Sequence, residues 1–274
     1  MAELPLNDYS ALDRPEVLNH IFHPRREWRA SETGQAVDIS IPVERDIALG
    51  ARFHLTDKAG ANILFFHGNG EIVSDYDDLA PLYNRMGLNF LPVDYRGYGR
   101  SGGDPSVSAM MRDCHIAFDF VKKWLDENGY GGPMIVMGRS LGSASALELA
   151  SRREAEIDGL VIESGFAFAE PLLRLLGVNV KGIDFSENSG FRNLDKIRKF
   201  SKPVLIIHAE HDHIIPFSDG KAFFDASRSK DKLLLKIPRA NHNDIFSVGL
   251  TEYMAAVKSF SERVKAAKSL HPTE

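Results

Sequence analysis

One serine lies in a sequence pattern that is typical of an enzymatic nucleophile. Residues 138–142 read Gly-Arg-Ser-Leu-Gly, and they follow the apolar run Met134–Met137 and precede a run of small residues that favours a helix. A strand that leads through G-x-S-x-G into a helix makes a tight, strained turn, which exposes the serine hydroxyl above a sheet. Side chains at Gly138 and Gly142 would collide in so sharp a turn. We therefore predict that Ser140 is a nucleophile.

A second serine matches the same pattern but not its context. Residues 99–103 read Gly-Arg-Ser-Gly-Gly. The apolar run before them ends near Asp94, several residues too early, and Asp104-Pro105 follows where a helix would have to begin. The context indicates that Ser101 is a loop residue.

A serine hydroxyl needs a base to take its proton, and the base needs an acid to orient it. In turns of this type the partners follow in the order serine, acid, histidine. Asp212 follows a buried run in a polar turn, and His242 lies in the loop after the next apolar run. We predict that Asp212 is the acid and His242 the base. Glu163 and Asp244 remain alternatives for the acid, and Glu163 is the better of the two.

The same chemistry needs hydrogen-bond donors for an oxyanion. The run Ile63–Phe66 leads into His67-Gly68-Asn69-Gly70, a turn in which a main-chain N–H can point into the site. We predict that the amides of Asn69 and Leu141 are the donors, since Leu141 also opens a helix. His67 precedes a glycine turn, so we expect it to brace the loop rather than act as a base.

Short apolar runs alternate with helix-like stretches along most of the chain, which predicts βαβ units and a mostly parallel sheet covered on both faces. The first two runs have no helix between them and favour an antiparallel hairpin at one edge. About eight strands are expected. The runs are 36–42, 46–54, 62–66, 89–93, 134–137, 160–162, 204–207 and 233–237.

Two helical stretches show an apolar stripe, and one region fits neither a helix nor a strand pattern. Ser108–Asn128 and the stretch around Tyr253–Val264 carry apolar residues three and four apart, as core-facing helices do. The region 165–200 holds a short apolar helix and then a passage rich in Gly, Asn and Ser, so we interpret it as a small lid. Substrate-binding walls are expected from Phe166, Phe168, Leu172, Leu173 and Phe246.

Composition limits the class of protein. The 274 residues suit one α/β domain, and 33 basic against 38 acidic residues leave a net charge of −5, which disfavours a nucleic-acid partner. No stretch is long and apolar enough for a membrane span, and the first residues do not resemble a signal peptide. Cys114 is the single cysteine, so no internal disulfide forms. A cytoplasmic protein is expected.

Several motifs together resemble the α/β-hydrolase superfamily. They are His67-Gly68-Asn69-Gly70, the run from Asp94 to Ser101, Gly138–Gly142, Asp212 with Pro216, and His242-Asn243-Asp244. The chain is most similar to compact, small-lid serine hydrolases, a group that includes carboxylesterases and protein depalmitoylases. The resemblance implies an α/β-hydrolase fold over one domain, 36–274, with catalytic roles for Ser140, Asp212 and His242. Residues 1–35 lie outside it as an N-terminal extension.

The expected activity is hydrolysis of carboxylic esters or thioesters of small molecules through an acyl-enzyme, with no cofactor. One alternative is a non-catalytic binding protein on the same fold. Less favoured alternatives are a peptidase or amidase and a metal-dependent hydrolase. The metal alternative rests on residues 208–213, His-Ala-Glu-His-Asp-His, whose side chains could ligate zinc. The oligomeric state is open.

Overall fold

The chain folds into one mixed β-sheet between two layers of helices. The computed structural model describes residues 8–27 and 36–270. In these residues the strands are β1 (Ala36–Glu44), β2 (Ile47–His54), β3 (Asn62–Phe66), β4 (Asn89–Val93), β5 (Met134–Arg139), β6 (Gly159–Glu163), β7 (Val204–Ala209) and β8 (Lys232–Ile237). The helices are α1 (Pro15–Ile21), α2 (Ala80–Arg85), α3 (Val107–Glu127), α4 (Ser143–Arg152), α5 (Ala169–Leu175), α6 (Asn193–Ile197), α7 (Phe217–Ala226) and α8 (Ile245–Leu270).

The strands lie in the order β1-β2-β4-β3-β5-β6-β7-β8. β1 and β2 form an antiparallel hairpin at one edge, β2 pairs antiparallel with β4, and the strands from β3 to β8 run parallel. The prediction of a mostly parallel sheet with an antiparallel hairpin at its edge is therefore confirmed. Parallel strands end at one edge of the sheet, so the loops after β3, β5, β7 and β8 meet there.

The central strands are buried on both faces because helices cover each side. Along β3, Ile63 and Phe65 belong to one apolar cluster, whereas Leu64 and Phe66 belong to the other. Helices α2 and α8 complete the first cluster, and α3, α4 and α7 complete the second. This alternation explains why β3 to β7 appear in the sequence as short, continuously apolar runs.

Both predicted core-facing helices form: α3 lies within one residue of its expected bounds, and α8 contains the whole predicted stripe Tyr253–Val264. Helix α3 begins after Ser106, whose hydroxyl oxygen accepts a hydrogen bond from the Ala109 N–H. The Asp13 carboxylate accepts two more, from the N–H groups of Val107 and Ser108, so the N-terminal region also caps this helix. In α8 the backbone departs from helical geometry at Gly249.

Two parts of the chain lie over the carboxyl edge of the sheet. The segment between β6 and β7, residues 164–203, contains α5 and α6 and occupies the interval in which the sequence predicted a lid. Of the expected N-terminal extension, residues 8–27 pack against the sheet-bearing part of the chain, and α1 contacts α5. Residues 1–7 and 28–35 lie outside the described residues. Among the described helices, none is both long and apolar enough to cross a membrane.

Candidate active site

Ser140 lies at the sharp turn between β5 and α4. Its φ of +50° is in the left-handed region, where a non-glycine residue is strained. A Cβ atom on Gly138 would lie 2.3 Å from the carbonyl oxygen of Gly142, and one on Gly142 would lie 2.1 Å from that of Phe66. Both positions therefore require glycine. The local structure is that of a nucleophile elbow.

A chain of hydrogen bonds joins Ser140 to a histidine and an aspartate. His242 Nε2 is 3.1 Å from Ser140 Oγ, and His242 Nδ1 is 2.7 Å from Asp212 Oδ2. Because Nδ1 faces a carboxylate, it carries the proton, which leaves Nε2 free to accept the serine proton. His242 and Asp212 are both buried. The structure thus brings together three residues that lie 72 and 30 positions apart in the sequence.

The environment of Asp212 keeps its carboxyl group ionised. Burial raises its pKa, but the hydrogen bond and charge of His242 and the N–H groups of Ile214 and Ile215 more than offset this, so the pKa lies below its ordinary value. The two N–H groups donate to Asp212 Oδ1 at 3.0 and 2.8 Å. One carboxylate oxygen is therefore held by the backbone, and the other is directed to His242.

The two alternative acids have other partners. Glu163 Oε2 accepts a hydrogen bond from Tyr253 Oη at 2.7 Å, and its Oε1 is 3.1 Å from Arg139 Nε. Asp244 Oδ1 accepts one from the Asn241 N–H. The carboxylate that contacts the His242 imidazole is that of Asp212.

The turn after β3 borders the same space. Asn69 and Leu141 both line a cavity beside Ser140. The Asn69 side-chain oxygen accepts hydrogen bonds from Tyr98 Oη at 2.7 Å and from the main-chain N–H of His23 at 2.9 Å. These contacts fix the orientation of the Asn69 side chain. The main-chain N–H of the same residue is the one predicted to face the oxyanion.

His67 is fully buried next to this turn. Its Nδ1 is 2.8 Å from the Gly68 carbonyl oxygen, and its Nε2 is 3.2 Å from Asp94 Oδ1. Burial alone would lower the pKa of His67, but the Asp94 carboxylate raises it above its ordinary value. With both ring nitrogens engaged, His67 braces the loop and does not contact Ser140. Ser101, the second serine in a matching pattern, lies in a loop, where its Oγ accepts a hydrogen bond from the Gly50 N–H at 2.8 Å.

Arg139, the residue before the serine, joins two loops of the site to the end of β6. Its guanidinium is 2.7 Å from Glu71 Oε1 and 3.1 Å from Glu163 Oε1, and it donates to the main-chain oxygen of His242 at 2.9 Å. Burial raises the pKa of Glu71, but the charge of Arg139 and other contacts outweigh burial, so this pKa lies below its ordinary value. At Glu163 burial outweighs the charge of Arg139, so the pKa lies above its ordinary value. A charged residue at the end of a buried strand was the only sign of this network in the sequence.

The cavity beside Ser140 has a volume of about 210 Å³ and a mostly apolar wall. Phe166, Leu172 and Leu173 line it, as expected, but Phe168 and Phe246 do not. Phe168 is 41% exposed, and the Phe246 ring packs edge-on against Tyr253, with 4.9 Å between the ring centroids. The walls that sequence reasoning missed are Ile21, Ala169, Leu176, Phe191, Ile214 and Asn243. Glu71 and Arg139, to which the sequence assigned no role, also line the cavity.

The histidine-rich run 208–213 does not converge on one point. His208 is buried and its Nε2 is 2.8 Å from the Ile215 carbonyl oxygen, whereas His211 is largely exposed and His213 contacts Asn241. Within residues 8–27 and 36–270, no group of three or more His, Cys, Asp or Glu side chains is arranged to hold a metal ion. The geometric basis for the metal-hydrolase alternative is therefore missing.

The sequence is similar to those of several known proteins. The chain matches the family described as serine aminopeptidase, S33, over residues 57–183. It is 32% identical over 249 residues to alpha/beta hydrolase domain-containing protein 17C of Mus musculus, which covers 86% of this chain and 71% of that protein. It is 35% identical over 180 residues to lysophosphatidylserine lipase ABHD12 of Xenopus tropicalis, which covers 60% and 46%. The alignments with the first curated relatives span between 46% and 66% of their own length.

The fold is also shared with solved structures. The esterase Pf2001 of Pyrococcus furiosus superimposes with a TM-score of 0.71, at 19% sequence identity, over 88% of this chain and 98% of that one. At this identity the likeness concerns the fold alone. From its fold and from its relatives, the chain belongs to the α/β-hydrolase superfamily.

Proposed function

We propose that the protein is a serine hydrolase that cleaves carboxylic esters or thioesters through an acyl-enzyme. The observation that carries this proposal is the continuous set of hydrogen bonds from Ser140 through His242 to Asp212, at the wall of an apolar cavity. A nucleophile, a base and an orienting acid in this arrangement are the requirements of acyl transfer. Neither a metal ion nor a cofactor is needed.

The first half of the reaction forms the acyl-enzyme. Ser140 Oγ attacks the acyl carbonyl carbon while His242 Nε2 takes the hydroxyl proton, and the carbonyl oxygen becomes an oxyanion. The main-chain N–H groups of Asn69 and Leu141 stabilise this charge, and each such donor contributes about 3–4 kcal/mol to the barrier reduction. The imidazolium then gives its proton to the leaving alcohol or thiol as the tetrahedral adduct collapses.

Water releases the acyl group in the second half. His242 takes a proton from the water as the oxygen attacks the ester carbon, and it returns that proton to Ser140 Oγ when the carboxylic acid leaves. Asp212 stabilises the imidazolium in both halves.

The cavity favours an apolar acyl group. Its walls include Phe166, Leu172, Leu173 and Phe191. Each buried methylene contributes about 0.8 kcal/mol, which corresponds to about a fourfold gain in kcat/KM. An esterase and lipases among the similar proteins support a substrate with a lipid-like acyl chain.

The test combines covalent labelling with turnover. Wild type, Ser140→Ala and Ser101→Ala are treated with a fluorophosphonate probe and assayed with p-nitrophenyl acetate, butyrate and octanoate. We expect Ser140→Ala to lose labelling and at least about 10⁵-fold in turnover, with Ser101→Ala as the serine control that keeps both. Thermal unfolding establishes that each variant is folded.

Other outcomes would point elsewhere. A wild type that neither labels nor turns over any ester would contradict the proposal and favour a binding protein on the same fold. Turnover of aminoacyl p-nitroanilides faster than any ester would favour a peptidase, in keeping with the description of the matched family.

A further inference from the structure

A short segment near the N-terminus, residues 21–25, crosses the candidate active site. We call it the strap. It lies outside the matched family region, which covers residues 57–183. Ile21, the last residue of α1, lines the cavity and is 5% exposed. The helix that carries it contacts α5, which provides the wall residues Ala169, Leu172 and Leu173.

The next part of the strap contacts Asn69. The main-chain N–H of His23 donates to Asn69 Oδ1 at 2.9 Å and to Tyr98 Oη at 2.8 Å, and Tyr98 Oη in turn donates to Asn69 Oδ1 at 2.7 Å. The side-chain amide Nδ2 of Asn69 donates a hydrogen bond to His23 Nδ1 at 2.8 Å. All polar atoms of the Asn69 side chain therefore have partners in the strap or in Tyr98.

The end of the strap contacts the same turn from a second position. Arg25 Nε donates to the Gly70 carbonyl oxygen at 3.2 Å, and its guanidinium pairs with Asp75. The Arg25 carbonyl oxygen accepts a hydrogen bond from the Gly99 N–H at 2.8 Å, which ties the strap to the loop after β4. Asn69 is thus hydrogen-bonded to His23, and Gly70 is hydrogen-bonded to Arg25.

We propose that the strap is a working part of the active site, in which His23 positions the Asn69 turn and Ile21 limits the acyl chain. This rests on the proposed function. An oxyanion hole is effective because its donors are fixed before the charge develops, so that no energy is spent on turning them during the reaction. The turn is held at one end by Gly68, whose N–H donates to Glu71 Oε2 at 2.6 Å, and the strap adds contacts at Asn69 and Gly70.

The first experiment tests the positioning role of His23. In His23→Ala the acceptor for Asn69 Nδ2 is lost, whereas His23→Asn places a carbonyl oxygen near the position of Nδ1 and keeps it. We expect His23→Ala to lower kcat about 3- to 10-fold, the effect of one neutral hydrogen bond, at unchanged KM. Affinity for an alkylboronic acid, which mimics the tetrahedral adduct, falls by the same factor, and His23→Asn restores both.

His20→Ala is the matched control. His20 lies on α1, where its ring contacts the Glu16 carbonyl oxygen, and it does not line the cavity. It should leave kcat and boronate affinity at the wild-type level. If His23→Ala shows wild-type kcat, or if KM alone changes, the positioning role is wrong.

The second experiment tests the specificity role of Ile21. Ile21→Ala lengthens the cavity, so the ratio of kcat/KM for octanoate to that for butyrate rises several-fold, and Ile21→Trp lowers it. Val17→Ala, a buried aliphatic position on the same helix that does not line the cavity, is expected to leave the ratio unchanged. An unchanged ratio in both Ile21 variants overturns this role.

The two proposals fail in different ways. An active wild type with no effect of the strap variants leaves the serine hydrolase in place and rejects the strap. A wild type that is inert toward the probe and all esters rejects both.

Discussion

Asp212 and Glu163 are two buried carboxyl groups near the same histidine, but only Asp212 contacts its ring. We expect Asp212→Asn to lower kcat by about 10⁴-fold, because an amide can hold His242 in the wrong tautomer and cannot stabilise the imidazolium. Glu163→Gln retains an acceptor for Tyr253 and should cost less than about 10-fold. Steady-state kinetics with p-nitrophenyl butyrate compares them. An equal loss in both variants would mean that Glu163 shares the acid's role.

The stability of the wild type and that of Asp212→Asn should depend on pH differently. The pKa of Asp212 is lower in the folded chain than its ordinary value, so its contribution to stability is present above about pH 4 and is lost as the pH falls further. Urea unfolding of the wild type and Asp212→Asn between pH 3 and pH 7 measures this. The difference between the two proteins narrows toward pH 3 if the carboxylate is the cause.

The Arg139 side chain contacts the turn after β3, the end of β6 and the His242 loop. Arg139→Gln leaves the buried Glu163 and the part-buried Glu71 without their cation, so we expect a loss of about 3–5 kcal/mol in the free energy of unfolding at pH 7. The loss should be smaller at pH 5 than at pH 7, because burial raises the pKa of Glu163 and so favours its neutral form as the pH falls. Urea unfolding at both pH values is the measurement.

Arg153→Gln provides the comparison for Arg139→Gln. Arg153 pairs with Asp119 and Glu156 at the surface, where an ion pair contributes less than about 1 kcal/mol. Similar losses in the two variants would show that the buried network does not stabilise the site in the way proposed.

At the scale of elements, the elbow depends on how closely β3 and α4 approach each other. A methyl group on Gly142 would lie 2.1 Å from the Phe66 carbonyl oxygen, and backbone cannot move aside cheaply. We expect Gly142→Ala to cost about 3 kcal/mol of stability and most of the esterase activity. In Gly131→Ala the new methyl meets no atom within 4 Å, so both properties should stay within error of the wild type. Thermal unfolding measures the stability of the two variants, and ester turnover measures their activity.

The elements themselves were predictable because their local signals agree with their surroundings. Strands β3 to β7 are covered on both faces, so each is a short apolar run, and the loops after β3, β5, β7 and β8 follow directly from those runs. Asp212 and His242 could be chosen because each follows such a strand. Helix α5 was expected, but which of its neighbours face the site was not. The exposed ring of Phe168 and the lining ring of Phe166 lie two residues apart in the run Phe-Ala-Phe-Ala, which does not distinguish them.

At the scale of the whole molecule, the cavity joins segments that the sequence does not relate. Ile21, Phe191 and Ile214 come from three distant parts of the chain, and nothing in their local pattern marks them as neighbours. Their proximity depends on how the N-terminal region and the β6–β7 segment pack on the sheet. Periodicity predicts which face of an element is buried, but it does not predict which other element packs against that face. The sequence alone therefore does not identify the cavity walls.

A buried ion pair ties these same segments together. Lys196 Nζ, from the β6–β7 segment, is 2.7 Å from Glu148 Oε2 on α4 and donates to Tyr9 Oη at 3.1 Å. Burial raises the pKa of Glu148, but the hydrogen bond from His115 and the charge and hydrogen bond of Lys196 lower it to about 2. The difference from its ordinary value corresponds to about 3 kcal/mol at pH 7.

The stability from this pair should vanish in acid. Since the folded pKa of Glu148 is depressed, its contribution is present above about pH 4.5 and is lost as the pH falls toward 2. Glu148→Gln should therefore unfold at lower urea concentration than the wild type at pH 7, and the gap should close toward pH 2–3. Glu127→Gln, at an exposed position on α3, should track the wild type throughout. A gap that is independent of pH would mean that the shape of the Glu148 side chain, and not its charge, holds the N-terminal region and the β6–β7 segment to α4.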